Sequence, residues 1–144
     1  MDEPIIIEQQ FEASLNEVWE AITLPEKMKQ WYFANITAFE PRVGFETGFL
    51  VQSEEREFPH HWKITEVIPE KKIAYIWTFK GYPGVSKVSF DLFEQQEGTR
   101  LGVTATVIEP FPADIPEFKR ESGVAGWTYF IKERLKSFLE EQKK

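Results

Sequence analysis

Apolar and polar residues alternate along most of this chain, and the alternation breaks where Gly, Pro and acidic residues cluster. From Ile5 to Phe11, the positions Ile5, Ile7, Gln9 and Phe11 share one face, the period-two signature of a strand buried on one side. Residues 34–40 and 48–56 read as two further strands around the turn Pro41-Arg42-Val43-Gly44. The next strand, about 61–68, ends at Pro69, and Pro69-Glu70-Lys71-Lys72 is a tight turn. Residues 73–79 follow, with Ile73, Tyr75, Trp77 and Phe79 on one face. Beyond the loop Gly81-Tyr82-Pro83-Gly84, Val88, Phe90 and Leu92 oppose Lys87, Ser89 and Asp91. Glu97-Gly98 signals a hairpin, after which Leu101, Val103, Ala105 and Val107 extend the apolar face.

Twice the period changes to that of a helix. Ser14-Leu15-Asn16-Glu17 has the form of a capping box, in which the Ser and Glu side chains satisfy each other's free backbone N–H groups. The helix it opens turns Val18, Trp19, Ala21 and Ile22 inward, and Pro25 starts a second short helix carrying Met28, Trp31 and Tyr32. Near the end, three prolines in residues 110–116 exclude regular structure. A long helix then begins either near Pro116, capped by Asp114, or after Gly123. Its apolar stripe is Val124, Trp127, Ile131, Leu135, Phe138 and Leu139, at steps of three and four. Gly123 and Gly126 each cost that helix about 1 kcal/mol relative to Ala, a cost tolerated where close packing or free space is needed.

Strands followed by one terminal helix predict an α+β domain of residues 1–144. Its expected architecture is a seven-stranded curved antiparallel sheet around a long C-terminal helix, with two short helices between strands 1 and 2. A bent sheet gripping one helix leaves a hollow between them, and hollows of this kind bind small apolar molecules. The expectation is that rings from the sheet and from the helix stop short of meeting.

Charge and composition narrow the partners. Seventeen basic against twenty-four acidic residues give a net charge of -7, without the Lys and Arg clusters that grip phosphate backbones. Nucleic acid and anionic membrane surfaces are thereby excluded as expected partners. The absence of Cys removes thiol nucleophiles, zinc–thiolate sites and disulfides. The N-terminus lacks the form of a signal peptide, and no run approaches the ~20 apolar residues that span a bilayer. A cytoplasmic protein without membrane insertion is expected.

Candidate chemistry is sparse. His60 and His61 are adjacent on a strand and point to opposite faces, so they do not converge on one metal ion; they are expected at an exposed strand start. Glu66 shares the face of Trp62 and Ile64. It reads either as a general base whose pKa burial raises, or as an ion-pair partner of Arg100 or Arg134. No Ser-His-Asp arrangement, phosphate loop or dinucleotide fingerprint is present, and no cofactor is expected.

Aromatic residues remain: five Trp, four Tyr and thirteen Phe; a core absorbs many of these rings, and any beyond what packing needs are available to line a pocket. Trp31 and Phe33 follow the short helices, and Trp62, Ile64, Tyr75, Trp77 and Phe90 occupy inward strand faces. Trp127 and Ile131 face them from the helix. Each of these residues also reads as ordinary core; as a group they are the candidate lining of a ligand cavity.

Several segments, in order, carry a resemblance over nearly the whole chain. They are Ala21-Ile22-Thr23-Leu24-Pro25-Glu26 with Trp31, then Pro41-Arg42-Val43-Gly44, then residues 66–77 from Glu66 to Trp77. Gly98-Thr99-Arg100-Leu101 and Gly126-Trp127 complete the set. Together they resemble the activator of heat-shock protein 90 ATPase homologue-like family, within the START-like, birch-pollen-allergen-like superfamily of helix-grip folds. The resemblance implies an internal cavity that in relatives receives lipids, polyketides, flavonoids or hormones. A small apolar or aromatic ligand is therefore the expected partner. The family name also implies a chaperone partner, although a full co-chaperone of that kind carries a companion domain. Cyclases in the superfamily imply a third role, with Glu66 and Tyr75 as an acid–base pair. Three positions depart from the family pattern: Phe45 replaces a second Gly, Trp62 a small residue, and Gly123 a His.

Overall fold

Each predicted strand but one forms in the computed structural model, which describes residues 3–142. In chain order the elements are β1 (Ile5–Phe11), α1 (Leu15–Thr23), α2 (Pro25–Trp31), β2 (Glu46–Ser53), β3 (Arg56–Ile68), β4 (Lys72–Phe79), β5 (Val85–Gln95) and β6 (Gly98–Glu109). The six strands form one antiparallel sheet in the order β1-β6-β5-β4-β3-β2. A short 3₁₀ turn (Pro116–Phe118) leads into the closing helix, made of α3 (Arg120–Thr128), a π-wound segment (Tyr129–Leu135) and α4 (Lys136–Glu141). Among the described residues no helix is long and apolar enough to cross a membrane.

The missing seventh strand is residues 34–40, which run beside β2 without a backbone ladder. Two side chains substitute for the ladder: Asn35 Nδ2 donates to Leu50 O at 2.7 Å and Thr37 Oγ1 to Gly48 O at 3.3 Å. Ile36 and Phe39 are buried, so the alternation seen in the sequence reports burial rather than pairing. The opposite outer strand is engaged similarly. Lys132 Nζ from the closing helix donates to Glu8 O at 2.9 Å, and the Arg120 guanidinium to the carbonyls of Glu3 and Pro4. Side chains thus occupy carbonyls along both outer strands, where a bare edge would invite pairing with another chain.

Local signals set the helical elements. The capping box forms as read, with Glu17 N–H donating to Ser14 Oγ at 3.1 Å and Ser14 N–H to Glu17 Oε1 at 2.9 Å. Trp31 Nε1 donates to Ala21 O at 2.7 Å and ties α2 to α1. Gly98 closes the β5–β6 hairpin at φ +123°, where a Cβ would lie 2.0 Å from Phe11 O, so no side chain fits there.

The closing helix starts at Arg120, between the two readings of its start. Trp127, Ile131, Leu135 and Leu139 form its buried stripe, whereas Val124 is 37% exposed and lies off it. Four-residue steps overshoot the α-helical turn of ~3.6 residues by about 40° each. The wider winding between Tyr129 and Leu135 offsets that drift and keeps the stripe on the sheet.

One bulge redirects β3. Ile64 pairs with Tyr75 but Glu66 pairs with Ala74, leaving Thr65 as the extra residue. Past Thr65 the faces exchange. Val67 turns to the core and Glu66 leaves the face it was expected to share with Trp62 and Ile64. Its carboxylate lies 3.7 Å from Lys72 Nζ. The expected arginine partners go elsewhere: Arg100 pairs with Glu8 at 3.0 Å and Arg134 donates to Gln30 O at 2.7 Å.

Candidate functional site

A cleft of about 230 Å³ opens between β4–β6 and the first turns of the closing helix. Strand periodicity supplies its floor: Trp77 and Phe79 from β4, Val88 from β5, and Ala105 and Val107 from β6. Gly123 lets the helix approach β1 closely, since a Cβ there would sit 3.0 Å from Ile5 Cδ1. Trp127, one helical turn later, forms the inner wall. The proline-rich segment contributes Phe111, and the 3₁₀ turn contributes Phe118; their rings lie 5.1 Å apart. Gly84 makes room for Phe111, because a Cβ at that position would come within 2.2 Å of its ring.

Charged groups stand at the mouth. Glu117 is held by Ser53 Oγ at 2.9 Å and by Arg56 at 3.3 Å. Partial burial pushes its pKa up, but hydrogen bonds from its own backbone and Ser53, with the Arg56 charge, outweigh this and hold it below the usual carboxylate range.

Behind the cleft the interior is filled. Tyr32, at the end of α2, stacks on Trp31 at 4.6 Å and on Trp62 at 5.3 Å, and reaches Trp127 at 5.9 Å. Phe90 lies 5.9 Å from both Tyr75 and Trp127, so rings of sheet and helix meet. The space expected between Tyr75 and Trp127 is occupied by Tyr32, whose inward direction depends on the α2 terminus and not on strand periodicity. Trp62 compounds this: it is fully buried and touches Tyr32, Phe33, Phe39, Phe49, Tyr75 and Trp77.

Of the nine residues read from the sequence as cavity lining, Trp77 and Trp127 border the cleft. Trp31, Trp62, Ile64, Tyr75, Phe90 and Ile131 are fully buried in the packed layer behind it. Phe33 is half-buried against Phe49, His60 and Phe130. Ile5, Phe79, Phe111 and Phe118 border the cleft and were not among the candidates. Alternation already placed Ile5 and Phe79 on inward faces. The two Phe residues lie in and after a segment whose prolines hide any periodicity.

Polar groups in this interior are few. The hydroxyls of Tyr32 and Tyr75 are 2.9 Å apart, and burial pushes both phenols well above their ordinary titration range, so both stay neutral. Tyr75 is enclosed while Glu66 sits half-exposed beside Lys72, so the suggested acid–base pair does not assemble. Replacing Tyr75 with Phe leaves the Tyr32 hydroxyl unpartnered and should cost about 1–3 kcal/mol. The double variant Tyr32→Phe/Tyr75→Phe should cost less than the sum of the two singles, measured by urea denaturation.

His60 is corrected from an exposed strand start to a core residue. β3 begins earlier, at Arg56, and the period of two puts His60 on the face of Phe58 and Trp62. Its Nδ1 lies 2.8 Å from Phe58 O, and its ring stacks on Phe49 at 5.0 Å. Burial lowers its pKa from 6.5 to about 4, so the neutral ring donates from Nδ1. His61 faces outward, 3.0 Å from Glu46. Among the described residues no group of three His, Cys, Asp or Glu side chains is placed to hold a metal ion.

Two indole nitrogens, Trp62 Nε1 and Trp77 Nε1, are buried without a hydrogen-bond partner, as is Glu117 Oε1, which has only the ion-pair contact with Arg56. Both indoles belong to one cross-strand pair.

Comparison with known proteins places this arrangement. Solved structures share the fold over almost the full chain. DynU16, a protein of the dynemicin biosynthetic locus, is 25% identical, with a TM-score of 0.76 over 99% of this chain and 49% of its own. This chain therefore spans about half of DynU16. NE0264 from Nitrosomonas europaea is also 25% identical, with a TM-score of 0.72 over 99% of this chain and 98% of its own. CV1439 from Chromobacterium violaceum is 21% identical, with a TM-score of 0.78 over 97% and 99%. No curated protein matches the sequence. Residues 12–140 match the profile of the Activator of Hsp90 ATPase homolog 1-like proteins. With the match spanning α1 through the closing helix, the chain belongs to the Activator of Hsp90 ATPase homolog 1-like protein family.

Proposed function

We propose that this protein binds a small, flat hydrophobic or aromatic molecule, lipid-, polyketide- or flavonoid-like, as a cytoplasmic carrier or sensor without catalysing its conversion. The observation that carries the reading is the cleft bordered by Trp77 and Trp127, lined by aliphatic and aromatic side chains together with a few polar and charged ones. At about 230 Å³ it lies below the ~300–1,000 Å³ of drug-sized pockets, which suits one or two fused rings. A larger guest requires Tyr32 to leave the interior, which would add Tyr75, Phe90 and Trp62 to its surroundings. Binding is favoured over chemistry because Glu117, a carboxylate bordering the cleft, is paired with Arg56 and held below the usual carboxylate range, which makes it a weak base. DynU16, of which this chain spans about half, comes from a biosynthetic locus, a setting compatible with a small-molecule guest.

Titration with a panel of one- and two-ring aromatics should change the Trp fluorescence saturably. Ala105→Phe, which fills the cleft floor, should weaken binding at least about tenfold with an unchanged circular dichroism spectrum. A panel that leaves the fluorescence unmoved overturns the reading. The family description favours a second role, an interaction with the Hsp90 chaperone. Stimulation of the chaperone's ATPase by this protein would promote that role over the first.

A further inference from the structure

We infer that the cleft selects ring compounds bearing a hydrogen-bond acceptor, and that Trp77 is the residue that reads the acceptor. The inference rests on the proposed binding role of the cleft. A buried donor is nearly always paired, because an unpaired one gives up its hydrogen bonds to water and regains nothing. This chain satisfies a buried indole where the role is structural: Trp31 Nε1 donates to Ala21 O at 2.7 Å. Trp77 Nε1 has no such partner, although its ring borders the cleft. Trp62, directly opposite on β3, has an unpaired Nε1 too but does not border the cleft.

Several other polar groups around the cleft have partners of their own. Ser86 Oγ donates to Trp77 O at 3.2 Å, Glu117 Oε2 accepts from Ser53 Oγ while its Oε1, buried without a hydrogen bond, lies 3.3 Å from the Arg56 guanidinium, and Arg120 donates to the carbonyls of Glu3 and Pro4. The buried donor left without a partner at the cleft is the Trp77 indole N–H, which donates and never accepts. On this inference the Trp77 ring turns so that its N–H meets a carbonyl or ether oxygen of a bound ring. A ligand offering only donors, or only carbon, leaves it unpaired.

Indane and 1-indanone differ by one carbonyl and serve as the probes. The five Trp residues supply indole N–H signals in a ¹H–¹⁵N spectrum, and Trp77→Phe assigns the one that matters. On the wild-type protein 1-indanone should move the Trp77 indole proton downfield and bind about tenfold more tightly than indane. In Trp77→Phe, which keeps an aromatic ring without the N–H, the two compounds should bind within about twofold of each other. Equal affinities for the wild type, or a ketone advantage that survives in Trp77→Phe, overturn the inference. If Trp77→Phe does not fold, the indole signals are assigned on the wild type from their nuclear Overhauser contacts, and the wild-type affinity ratio and Trp77 shift decide it. Binding of indane with no gain for 1-indanone removes only the acceptor selection. Binding of neither removes the cleft's proposed role as well.

Discussion

Replacing Trp62 with Ala is expected to lower stability by about 3–5 kcal/mol, the range for removing a large buried ring. Small domains hold roughly 5–15 kcal/mol in total, so this one change consumes a large share of it. The reason is position: Trp62 is fully buried in the middle of β3 and contacts six other aromatic side chains. Those neighbours come from β2, β3's partner β4, the α2 terminus and the strap at residues 34–40, and they have no common route to collapse into the space. Cooperative urea unfolding with a strongly lowered midpoint is the expected result. A loss below about 1 kcal/mol would show that the surrounding rings repack freely. The same variant should bind two-ring aromatics better than the wild type does, because the indole occupies volume that a small side chain would leave open.

The second large effect is on pH. Folded His60 titrates at about 4, against 6.5 for an unburied imidazole. Above pH 6.5 the ring is neutral in both states and its contribution is complete. Between pH 6.5 and about 4 the unfolded chain takes up a proton that the folded core refuses. Stability therefore falls by about 1.4 kcal/mol per pH unit across that window, about 3 kcal/mol in all. His60→Phe keeps a ring against Phe49 and removes the titration. Urea midpoints at pH 7 and pH 4.5 should diverge more for the wild type than for the variant. Comparing the two slopes cancels the carboxylates, which titrate in both proteins. Parallel slopes would mean that His60 accepts its proton in the folded state.

Much of the fold was legible because alternation and capping act locally. Six strands and both short helices follow from periods of two and of about 3.6, and the Ser14–Glu17 box appears where its residue types stand. The failures share a cause, which is that a period reports burial and not partner. Ile36 and Phe39 alternate inward while Asn35 and Thr37 bond to β2 through their side chains, so no seventh strand forms. One extra residue, Thr65, reverses every face beyond it and takes Glu66 away from the core. His60 was misread by placing the start of β3 five residues late. Neither bulge nor strand start leaves a mark in composition.

The site was half legible. Trp77 and Trp127 could be placed because each lies on a regular face of a regular element. The filling of the interior could not be read, because Tyr32 enters from beyond the end of α2 and meets Trp62, Phe90 and Trp127 from three separate elements. Phe111 lies in a segment with three prolines, and its place is set by the absence of a side chain at Gly84.

A guest lodged between strands β4–β6 and the closing helix has definite neighbours. Isotope-filtered nuclear Overhauser spectra of the protein with 1-indanone should show contacts from the ligand ring to Trp77, Val88, Phe111 and Trp127. Contacts confined instead to the apolar groove of Phe49, Pro59 and Thr78 on the β2–β4 side, or no contacts at all, would contradict the account.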